Sequence, residues 1–382
     1  MNFKNQHPGI TLGLMAIAER LSAMANAQND YSLYMSICLE SLGLSAPIVQ
    51  APMAGVQNHR LAAAVCNAGG LGSLPAAMLS ASDLQTQLTA LKQATDKPFN
   101  VNFFCHAQPT PNAERETAWQ EALKPYYIEL GLDSNLISGG PGRVPFNHEA
   151  ADVLEAFRPA VVSFHFGLPS SDLVQRVKSW GSRVFSSATT VDEALWLQAH
   201  GADAVIAQGL EAGGHRGMFL SDDLNTQIGT FALLPQIVHA VSIPVIAAGG
   251  LASAEGVRAA KMLGAAAVQI GTAYLCSDEA NTSALHRAAL QSPAGRHTAL
   301  TNLFTGRPAR GIVNRVMRER GPISPLAPAF PLATAAIGPL RAAAEAQDSS
   351  DFTPLWAGQN TAHIQARPAA DITQDFIAAW RA

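Results

Sequence analysis

The chain has 382 residues, of which 48% are hydrophobic and 14% are charged, and its formal net charge is −4 at pH 7. This length allows one large domain or one domain with an addition, and a charged fraction well below the usual ~25% indicates a large core or a homo-oligomer interface. The slight negative charge and the lack of a long basic run argue against a nucleic-acid partner, and no apolar run approaches the ~18–20 residues of a membrane-spanning helix.

The N-terminal segment, residues 1–34, falls outside the pattern of the rest of the chain. Its apolar run at 10–18 is followed by small residues at 23–28, a pattern that weakly resembles a signal peptide with a cleavage site. The run is short, and Glu19 and Arg20 follow it directly, so a dispensable N-terminal extension, or translation from Met35, is the preferred interpretation. The four cysteines are far apart and form no CxxC pair, which indicates reduced thiols and a cytoplasmic protein; they are Cys38, Cys66, Cys105 and Cys276.

Eight short apolar runs predict eight buried parallel strands, because none of them alternates in the manner of a half-exposed sheet. They cover residues 46–52, 70–76, 99–104, 160–167, 183–189, 204–209, 243–250 and 267–274. Helix-like segments separate several of them. In one, Thr190 is the predicted N-cap, Glu193 its capping-box partner and Gly201 the stop; Ser253 and Gly264 repeat the plan. Eight alternating strands and helices predict a TIM (β/α)8 barrel, with a doubly wound sheet as the alternative.

The predicted barrel occupies residues 35–276. The long gap at about 105–159 breaks the rhythm of strands and helices, and we interpret it as an insertion after strand 3 that lies over the barrel mouth. Residues 277–382 exceed what barrel closure needs. They are predicted to form an added helical subdomain that covers the mouth, rich in proline from 322 to 339 and ending in a helix near 371–381.

The strand ends of a TIM barrel carry its catalytic groups. Here they include neither a lysine nor a pair of carboxylates nor a metal-ligand cluster, which argues against a Schiff-base aldolase, a glycoside hydrolase and a metal site. A neutral, amide-rich lining with two histidines suits a cofactor that brings its own reactivity. The positions concerned are Pro52, Met53, Ser73, Asn102, His165, Ser187, Gln208, Gly249, Gly250 and Gln269–Thr272.

Two neighbouring strand ends predict a phosphate site. Gly249–Gly250 and Gln269–Thr272 follow strands seven and eight, the usual phosphate position in these barrels, where glycine backbone N–H groups and the Thr272 hydroxyl can donate. The alternative is that the glycines only turn the chain. No GxGxxG follows the first strand and no GxxxxGK[ST] is present, so neither a Rossmann site nor a P-loop is indicated. The amides of Asn102 and Gln208 suit a flavin edge, or are simply satisfied buried amides.

A glycine-rich bend, residues 205–217 with the sequence VIAQGLEAGGHRG, contains a single histidine. Gly213 and Gly214 remove side chains beside the pocket, so that a flat ring system could lie against the backbone. His215 remains as the titratable group, able to exchange a proton or to hold an anion. The alternatives are that His215 caps a loop turn and that His165 is a packed core histidine.

Taken in order, eight motifs resemble nitronate monooxygenase, formerly called 2-nitropropane dioxygenase, across residues 46 to 360. They are QAPMAG (50–55), NAGGLGSL (67–74), VSFHFGLP (162–169), QGLEAGGHRG (208–217), AAGGL (247–251), QIGTAYL (269–275), TGRPARGIVNR (305–315) and LWAGQ (355–359). The EAGGH element is shared with FMN-dependent enoyl-ACP reductases of the same fold. The motifs at 162–169 and 305–315 favour the monooxygenase.

The resemblance implies an FMN held without a covalent bond, His215 as the active-site histidine, and His165 as a second pocket histidine. The matching cofactor residues are Ala51, Pro52, Met53, Asn102, Gln208, Gly213, Gly214, Gly249, Gly250, Gln269, Ile270, Gly271, Thr272 and Gln359. No metal ion is implied.

The implied reaction oxidises an alkyl nitronate, such as propionate 3-nitronate, with O₂ to a carbonyl compound and nitrite or related nitrogen oxides. His215 would bind the anionic nitro group or accept a carbon-bound proton, and both roles stay open here. Arg307, Arg310 and Arg315 are candidate cationic partners for the substrate, or structural or interface residues. The competing functions are an NADH-dependent FMN reductase of the enoyl-ACP type, a non-redox barrel binding a phosphorylated metabolite, and a non-catalytic flavin-binding protein.

Overall fold

The computed structural model describes residues 42–133, 137, 143–362 and 364–382. The predicted N-terminal extension, together with Met35 and Cys38, lies outside these residues. Among the described residues, no helix is both long and apolar enough to cross a bilayer.

Eight parallel strands form the centre of the fold. They are β1 (Ile48–Gln50), β2 (Gly72–Pro75), β3 (Phe99–Phe104), β4 (Val161–His165), β5 (Arg183–Ala188), β6 (Ala204–Gln208), β8 (Val245–Ala248) and β9 (Ala267–Ile270), while β7 (Gly214–His215) lies outside the barrel. The strand order is β1-β9-β8-β6-β5-β4-β3-β2, and a parallel bridge between Val49 and Leu71 closes the ring. The predicted TIM barrel is confirmed, and the doubly wound alternative is wrong.

Twelve α-helices are found within the described residues. They are α1 (His59–Asn67), α2 (Ala81–Ala94), α3 (Ala113–Glu129), α4 (His148–Phe157), α5 (Ser171–Ser179), α6 (Val191–Ala199), α7 (Thr230–Ala240), α8 (Ala254–Met262), α9 (Ala284–Gln291), α10 (Arg315–Arg320), α11 (Thr334–Glu345) and α12 (Ala369–Arg381). Side-chain N-caps begin several of the outer barrel helices, as at Asn58, Ser80 and Ser253, where the capping oxygen accepts from a first-turn N–H.

The predicted capping box at α6 is half correct. Thr190 is the N-cap and accepts from Glu193 N at 3.2 Å. The Glu193 carboxylate, however, accepts from Thr189 N at 2.7 Å and from its hydroxyl at 2.8 Å, and its other oxygen accepts from Phe219 N at 2.6 Å. Because Glu193 is only 1% exposed, the carboxylate must have these donors. It therefore ties the start of α6 to the segment that follows β7.

The last helix of the described chain, α12, belongs to the barrel. It packs against α1, α8 and β1, and Ile372, Phe376 and Ile377 enter the same core cluster as Ile48. The barrel therefore takes its final outer helix from residues 369–381, beyond the predicted boundary at 276. The residues immediately after β9 run away from the barrel. The place of the outer helix beside β9 and β1 is therefore free for a later segment of the chain.

The predicted insertion at about 105–159 contains two different parts. α4 packs between α2 and α5, and its Ala151 and Leu154 are fully buried in their shared core. It is thus the outer barrel helix that belongs to β3. α3 instead packs against α11 in a separate cluster, where Trp119 and Leu123 meet Leu340. Only the part before α4 leaves the barrel.

The segment after the barrel is not purely helical. β10 (Thr298–Thr301) and β11 (Ala309–Ile312) form an antiparallel sheet with β7, in the order β10-β11-β7. In its register Ala309 pairs with His215 and Arg310 with Gly214. The prediction of a helical subdomain missed this sheet. β10 and β11 are too short for a clear strand pattern in the sequence, and their partner strand β7 lies about 90 residues away. The pairing fixes the glycine-rich bend to the C-terminal segment.

Candidate active site

A cavity opens at the C-terminal ends of the barrel strands, under the C-terminal segment. Most of the residues predicted from the strand ends and motifs line it: Ala51, Pro52, Met53, Asn102, His165, Ser187, Gln208, Gly213, Gly214, His215, Gly249, Gly250, Gln269, Gly271 and Thr272. The sequence pattern therefore identified residues in or directly after seven barrel strands, together with the glycine-rich bend, that the fold brings together. Among the described residues, no group of three or more His, Cys, Asp or Glu side chains is placed to hold a metal ion.

Three predicted positions do not line the cavity. Ile270 is 1% exposed and packs in the core between the barrel and its helices. Gln359 is exposed and uses its backbone N–H to donate to Glu211 O at 3.0 Å, while its neighbours Gly358 and Asn360 reach the cavity. Ser73 donates its hydroxyl to Gln50 O at 2.5 Å inside the buried barrel. In a strand, adjacent side chains face opposite ways, which explains Ile270.

The glycines of the bend have different reasons for being glycine. A Cβ on Gly213 would lie 2.5 Å from both Ala357 C and Gly358 N, so Gly213 lets the C-terminal segment approach rather than clearing room for a ring. Gly214 has a φ of +72° with open space beside it, which is a conformation that favours glycine. The prediction that both glycines clear space for a flat ligand therefore does not apply to Gly213, and for Gly214 it stays a prediction.

The loops after β8 and β9, where the sequence predicts a phosphate cradle, lie side by side at the cavity. Gly249 and Gly250 have φ values of +115° and +72°. The Gly250 carbonyl accepts from Asn360 Nδ2 at 3.0 Å, and Thr272 Oγ1 accepts from Gly358 N at 2.9 Å. Since the Thr272 oxygen accepts this bond, its own proton remains available to an anion. The C-terminal segment thus fixes both loops.

One buried polar atom in the cavity wall lacks a partner. Gln269 lines the cavity, and its Oε1 has no hydrogen-bond partner among the described residues. An unpaired buried acceptor costs about 1–3 kcal/mol, which an N–H on a bound ring system would recover. By contrast, Gln208 uses its amide within the protein: Nε2 donates to His215 O at 2.9 Å, and Oε1 accepts from Gly217 N at 2.7 Å. Gln269 therefore fits the ring of a flavin, and Gln208 holds the bend.

His215 lies in a largely aromatic surrounding. Its Nε2 is 2.9 Å from Thr305 Oγ1, and its ring centroid is 5.3 Å from that of Phe330 and 5.6 Å from that of Trp356. Burial is the main cause that lowers the pKa of His215 well below its usual range, and the positive charge of Arg143 adds to it. The imidazole is therefore neutral near pH 7, able to donate or accept a hydrogen bond but carrying no charge of its own.

His165 is held by both ring nitrogens. Nε2 donates to His215 O at 3.1 Å, and Nδ1 accepts from Ser187 Oγ at 3.0 Å. Burial lowers the pKa of His165 to about 4, so the ring stays neutral. With both nitrogens engaged, His165 is suited to supporting the backbone of His215 rather than to exchanging protons with a ligand.

Arg216, which the sequence analysis did not single out, is the strongest anchor of the bend. It is fully buried, and it donates to Gln208 O and Gly209 O at 2.7 Å each and to Gln227 Oε1 at 2.9 Å. Burial lowers the pKa of Arg216 to about 9. All three acceptors are neutral, so the guanidinium acts as a rigid fork inside the loop.

The three arginines proposed as cationic partners of a substrate do not line the cavity. Arg307 bonds to Met218 O and stacks over Phe166 at 4.2 Å. Arg310 donates to Leu210 O at 2.9 Å, and Arg315 pairs with Glu129 at 2.6 Å. These contacts are structural. Arg143, from the segment before α4, is the arginine that reaches the cavity, and no strand-end pattern could have found it.

Other cavity residues were not predicted as site residues, although about half of them lie within the quoted motifs. They are Ala54, Val56, Pro75, Met78, Phe104, Ile206, Ala212, Ala248, Leu251, Leu275, His286, Trp356, Ala357, Gly358 and Asn360. Several belong to the C-terminal segment, which crosses the mouth. Only the LWAGQ motif pointed to any of those.

Comparison with known proteins agrees with this geometry. A family profile described as nitronate monooxygenase matches residues 36–378. A nitronate monooxygenase from Pseudomonas aeruginosa is 42% identical over 345 residues, which cover 88% of this chain and 96% of that protein. One from Paraburkholderia phytofirmans is 41% identical over 342 residues, covering 87% and 92%.

Solved structures give a similar result. The structure of nitroalkane oxidase from Streptomyces ansochromogenes superposes with a TM-score of 0.82 at 39% identity, covering 90% of this chain and 98% of that one. FabK from Thermotoga maritima superposes with a TM-score of 0.64 at 26% identity, covering 89% and 94%.

Proposed function

The chain belongs to the nitronate monooxygenase family, as its ordered motifs predicted, and we propose that it oxidises alkyl nitronates such as propionate 3-nitronate with O₂. The products would be a carbonyl compound and nitrite or related nitrogen oxides. Family membership makes the chain a flavin-dependent oxidoreductase, and FMN is the flavin we propose. The observation that carries this proposal is the meeting, in one cavity, of His215 with the glycine loops that follow β8 and β9.

The residues that would hold FMN are those of the cradle and the adjoining wall. Gly249, Gly250 and Thr272 offer backbone and hydroxyl donors to a phosphate, and the unpaired Gln269 Oε1 offers an acceptor to a ring N–H. When bound, FMN supplies the electron transfer that links the nitronate to O₂. The chain's own residues bind, orient and shield the substrate.

His215 is best suited to hold the nitronate as a neutral hydrogen-bond donor. An effective general base has a pKa near the working pH, whereas the pKa of His215 lies well below its usual range. That makes proton abstraction from a neutral nitroalkane unfavourable. A substrate that is already an anion needs no base, and a neutral N–H in a poorly hydrated, aromatic surrounding interacts strongly with its oxygen atoms. Of the two roles open from the sequence, anion binding is therefore the one we propose.

The support behind His215 is a set of neutral groups. His165 and Gln208 both donate to its carbonyl, at 3.1 and 2.9 Å. β-Pairing of His215 with Ala309 adds a third constraint. Held in this way, the imidazole keeps its orientation when the cavity is filled, so little reorganisation is needed as the substrate reacts.

A cytoplasmic, oligomeric enzyme completes the proposal. The described cysteines Cys66, Cys105 and Cys276 are free thiols, which suits a reducing compartment. Phe231 and Met262 on the outer helices are 76% and 86% exposed, in keeping with a homo-oligomer.

Anaerobic mixing with propionate 3-nitronate, followed by absorbance, tests the function. We expect the oxidised flavin spectrum to bleach on mixing and to return when O₂ is admitted, with nitrite formed in proportion to turnover. A spectrum unchanged by the nitronate would contradict the proposal. If NADH bleached the flavin and the nitronate did not, the reductase alternative would stand instead. A protein that neither carries nor takes up a flavin would leave the non-redox alternative.

A further inference from the structure

Arg143 lines the cavity, and its guanidinium forms none of the ion pairs found among the described residues. It lines the wall close to His106, whose Nε2 is 3.0 Å from the Arg143 carbonyl oxygen, and its guanidinium lies 5.1 Å from the centre of the Phe330 ring. Its Nη1 is buried and has no hydrogen-bond partner in the part of the chain that the structure describes. The guanidinium faces the benzene ring of Phe330 and acts on the imidazoles of His106 and His215, whose pKa values its charge helps to lower; these groups solvate a cation poorly.

The other arginines near this end of the barrel are compensated. Carboxylates act on the charge of each one: Glu193 and Glu211 on Arg216, Asp222 and Glu193 on Arg307, and Glu211 on Arg310. Burial lowers the pKa of the Arg143 side chain. None of the ion pairs among the described residues joins Arg143 to a carboxylate, although uncompensated burial of charge is costly.

The position of Arg143 in the ring separates it from the predicted phosphate cradle. His106 follows directly on β3, and the cradle is formed after β8 and β9. In the strand order β1-β9-β8-β6-β5-β4-β3-β2, β3 lies on the side of the closed barrel opposite β8 and β9. Arg143 acts on His215 instead, since its charge is the second cause that lowers the pKa of that histidine.

We propose that Arg143 is a specificity-determining residue that binds a carboxylate carried by the nitronate at the end remote from its nitro group. This inference rests on the proposed function. A guanidinium presents N–H groups in a fork that matches a carboxylate, and the second anionic group would supply the missing counter-charge. With the nitro group at His215, the preferred substrates are short nitronates bearing a terminal carboxylate.

Paired substrates test this directly. Propionate 3-nitronate carries the carboxylate, and propyl-1-nitronate has the same chain with a methyl group in its place. Arg143→Met should lower kcat/KM for propionate 3-nitronate by roughly 30-fold or more, the scale of a lost charge-assisted hydrogen bond, and for propyl-1-nitronate by less than about 3-fold. Arg143→Lys keeps the charge without the fork and should fall between. Arg60→Met, which removes an exposed cation from α1, is the matched control and should change neither rate.

Equal losses on the two substrates would overturn the inference, because Arg143 would then act on the nitro group or on folding. No loss on either would overturn it as well. Flavin content and the thermal midpoint of each variant show whether the fold is retained.

A binding measurement separates this inference from the proposed function. Succinate has the shape of propionate 3-nitronate with a carboxylate replacing the nitro group. By calorimetry on the flavin-loaded protein, we expect Arg143→Met to weaken succinate binding at least ~10-fold and the control Arg60→Met to leave it unchanged. If this dependence on Arg143 appears but no nitronate is oxidised, the carboxylate site stands and the proposed function fails. If nitronates are oxidised but succinate binding does not depend on Arg143, the function stands and the site fails.

Discussion

Replacing Arg216 by methionine would remove the buried cation that holds the bend carrying His215. The guanidinium is 0% exposed and donates to Gln227 Oε1, Gly209 O and Gln208 O. Each charge-assisted hydrogen bond contributes about 1.5–3 kcal/mol. Burial works against the charged form and lowers the pKa of Arg216 to about 9. Removing the guanidinium would leave three buried neutral acceptors without a donor, at about 1–3 kcal/mol each, so after the relief of burying the cation the balance should be about 3–5 kcal/mol.

Equilibrium urea denaturation followed by far-UV circular dichroism measures this loss. We expect the free energy of unfolding to fall by roughly 3–5 kcal/mol in Arg216→Met and by less than about 0.5 kcal/mol in the exposed control Arg60→Met. Nitronate turnover should fall as well, because Gln208 loses a partner at its carbonyl while its amide holds the His215 backbone. Arg216→Lys should be intermediate, since a single ammonium cannot reach three divergent acceptors. A loss below about 1 kcal/mol in Arg216→Met would refute the reasoning, because burial would then cancel all three bonds.

Three further outcomes are expected. His215→Asn should keep its flavin and lose roughly 10²-fold in nitronate turnover, measured as steady-state rate alongside flavin content; parent rates would make His215 a loop residue only, and a loss confined to neutral nitroalkanes would make it a base. Gly250→Val should purify largely without flavin, because its φ of +72° strains any side chain, and full flavin content after denaturation and extraction would contradict the cradle. The pKa values of His165 and His286 are lowered by burial to about 4, while that of an unfolded histidine is about 6.5. As the pH falls below about 6.5, these histidines are protonated in the unfolded chain before they are protonated in the folded protein. The free energy of unfolding should therefore fall by about 1.4 kcal/mol per pH unit for each histidine, down to about pH 4. Equal urea midpoints at pH 7.5 and pH 5.0 would contradict this prediction.

The barrel could be predicted from the sequence because its determinants are local. A strand buried on both faces must be apolar throughout, and the residue at which it becomes polar marks the cavity. Asn102, Gln208 and Gln269 were found by this rule alone. The same rule wrongly includes Ile270, the neighbour of Gln269, because side chains alternate between the two faces of a strand and that of Ile270 points into the core.

The rest of the site depends on contacts between distant segments, which no local pattern encodes. Gly213 is glycine because Ala357 and Gly358 come within 2.5 Å of where its Cβ would be. Glu193 looks like a capping-box residue but is used to bind Phe219 N. Arg143 reaches the cavity from a segment without a motif. Each depends on residues far away in the chain, so each becomes apparent only when the chain is folded.

The late position of α12 has a consequence for biosynthesis. β1 begins at Ile48 and α12 at Ala369, so their contact joins segments about 320 residues apart. Until α12 has left the ribosome, the apolar faces of α1, α8 and β1 that it covers are exposed to solvent and to other nascent chains. Such long-range closure is slow, and exposed apolar surface promotes aggregation. The barrel is thus completed only after translation has passed residue 381, and the order of its helices prolongs the exposure of this apolar surface during synthesis.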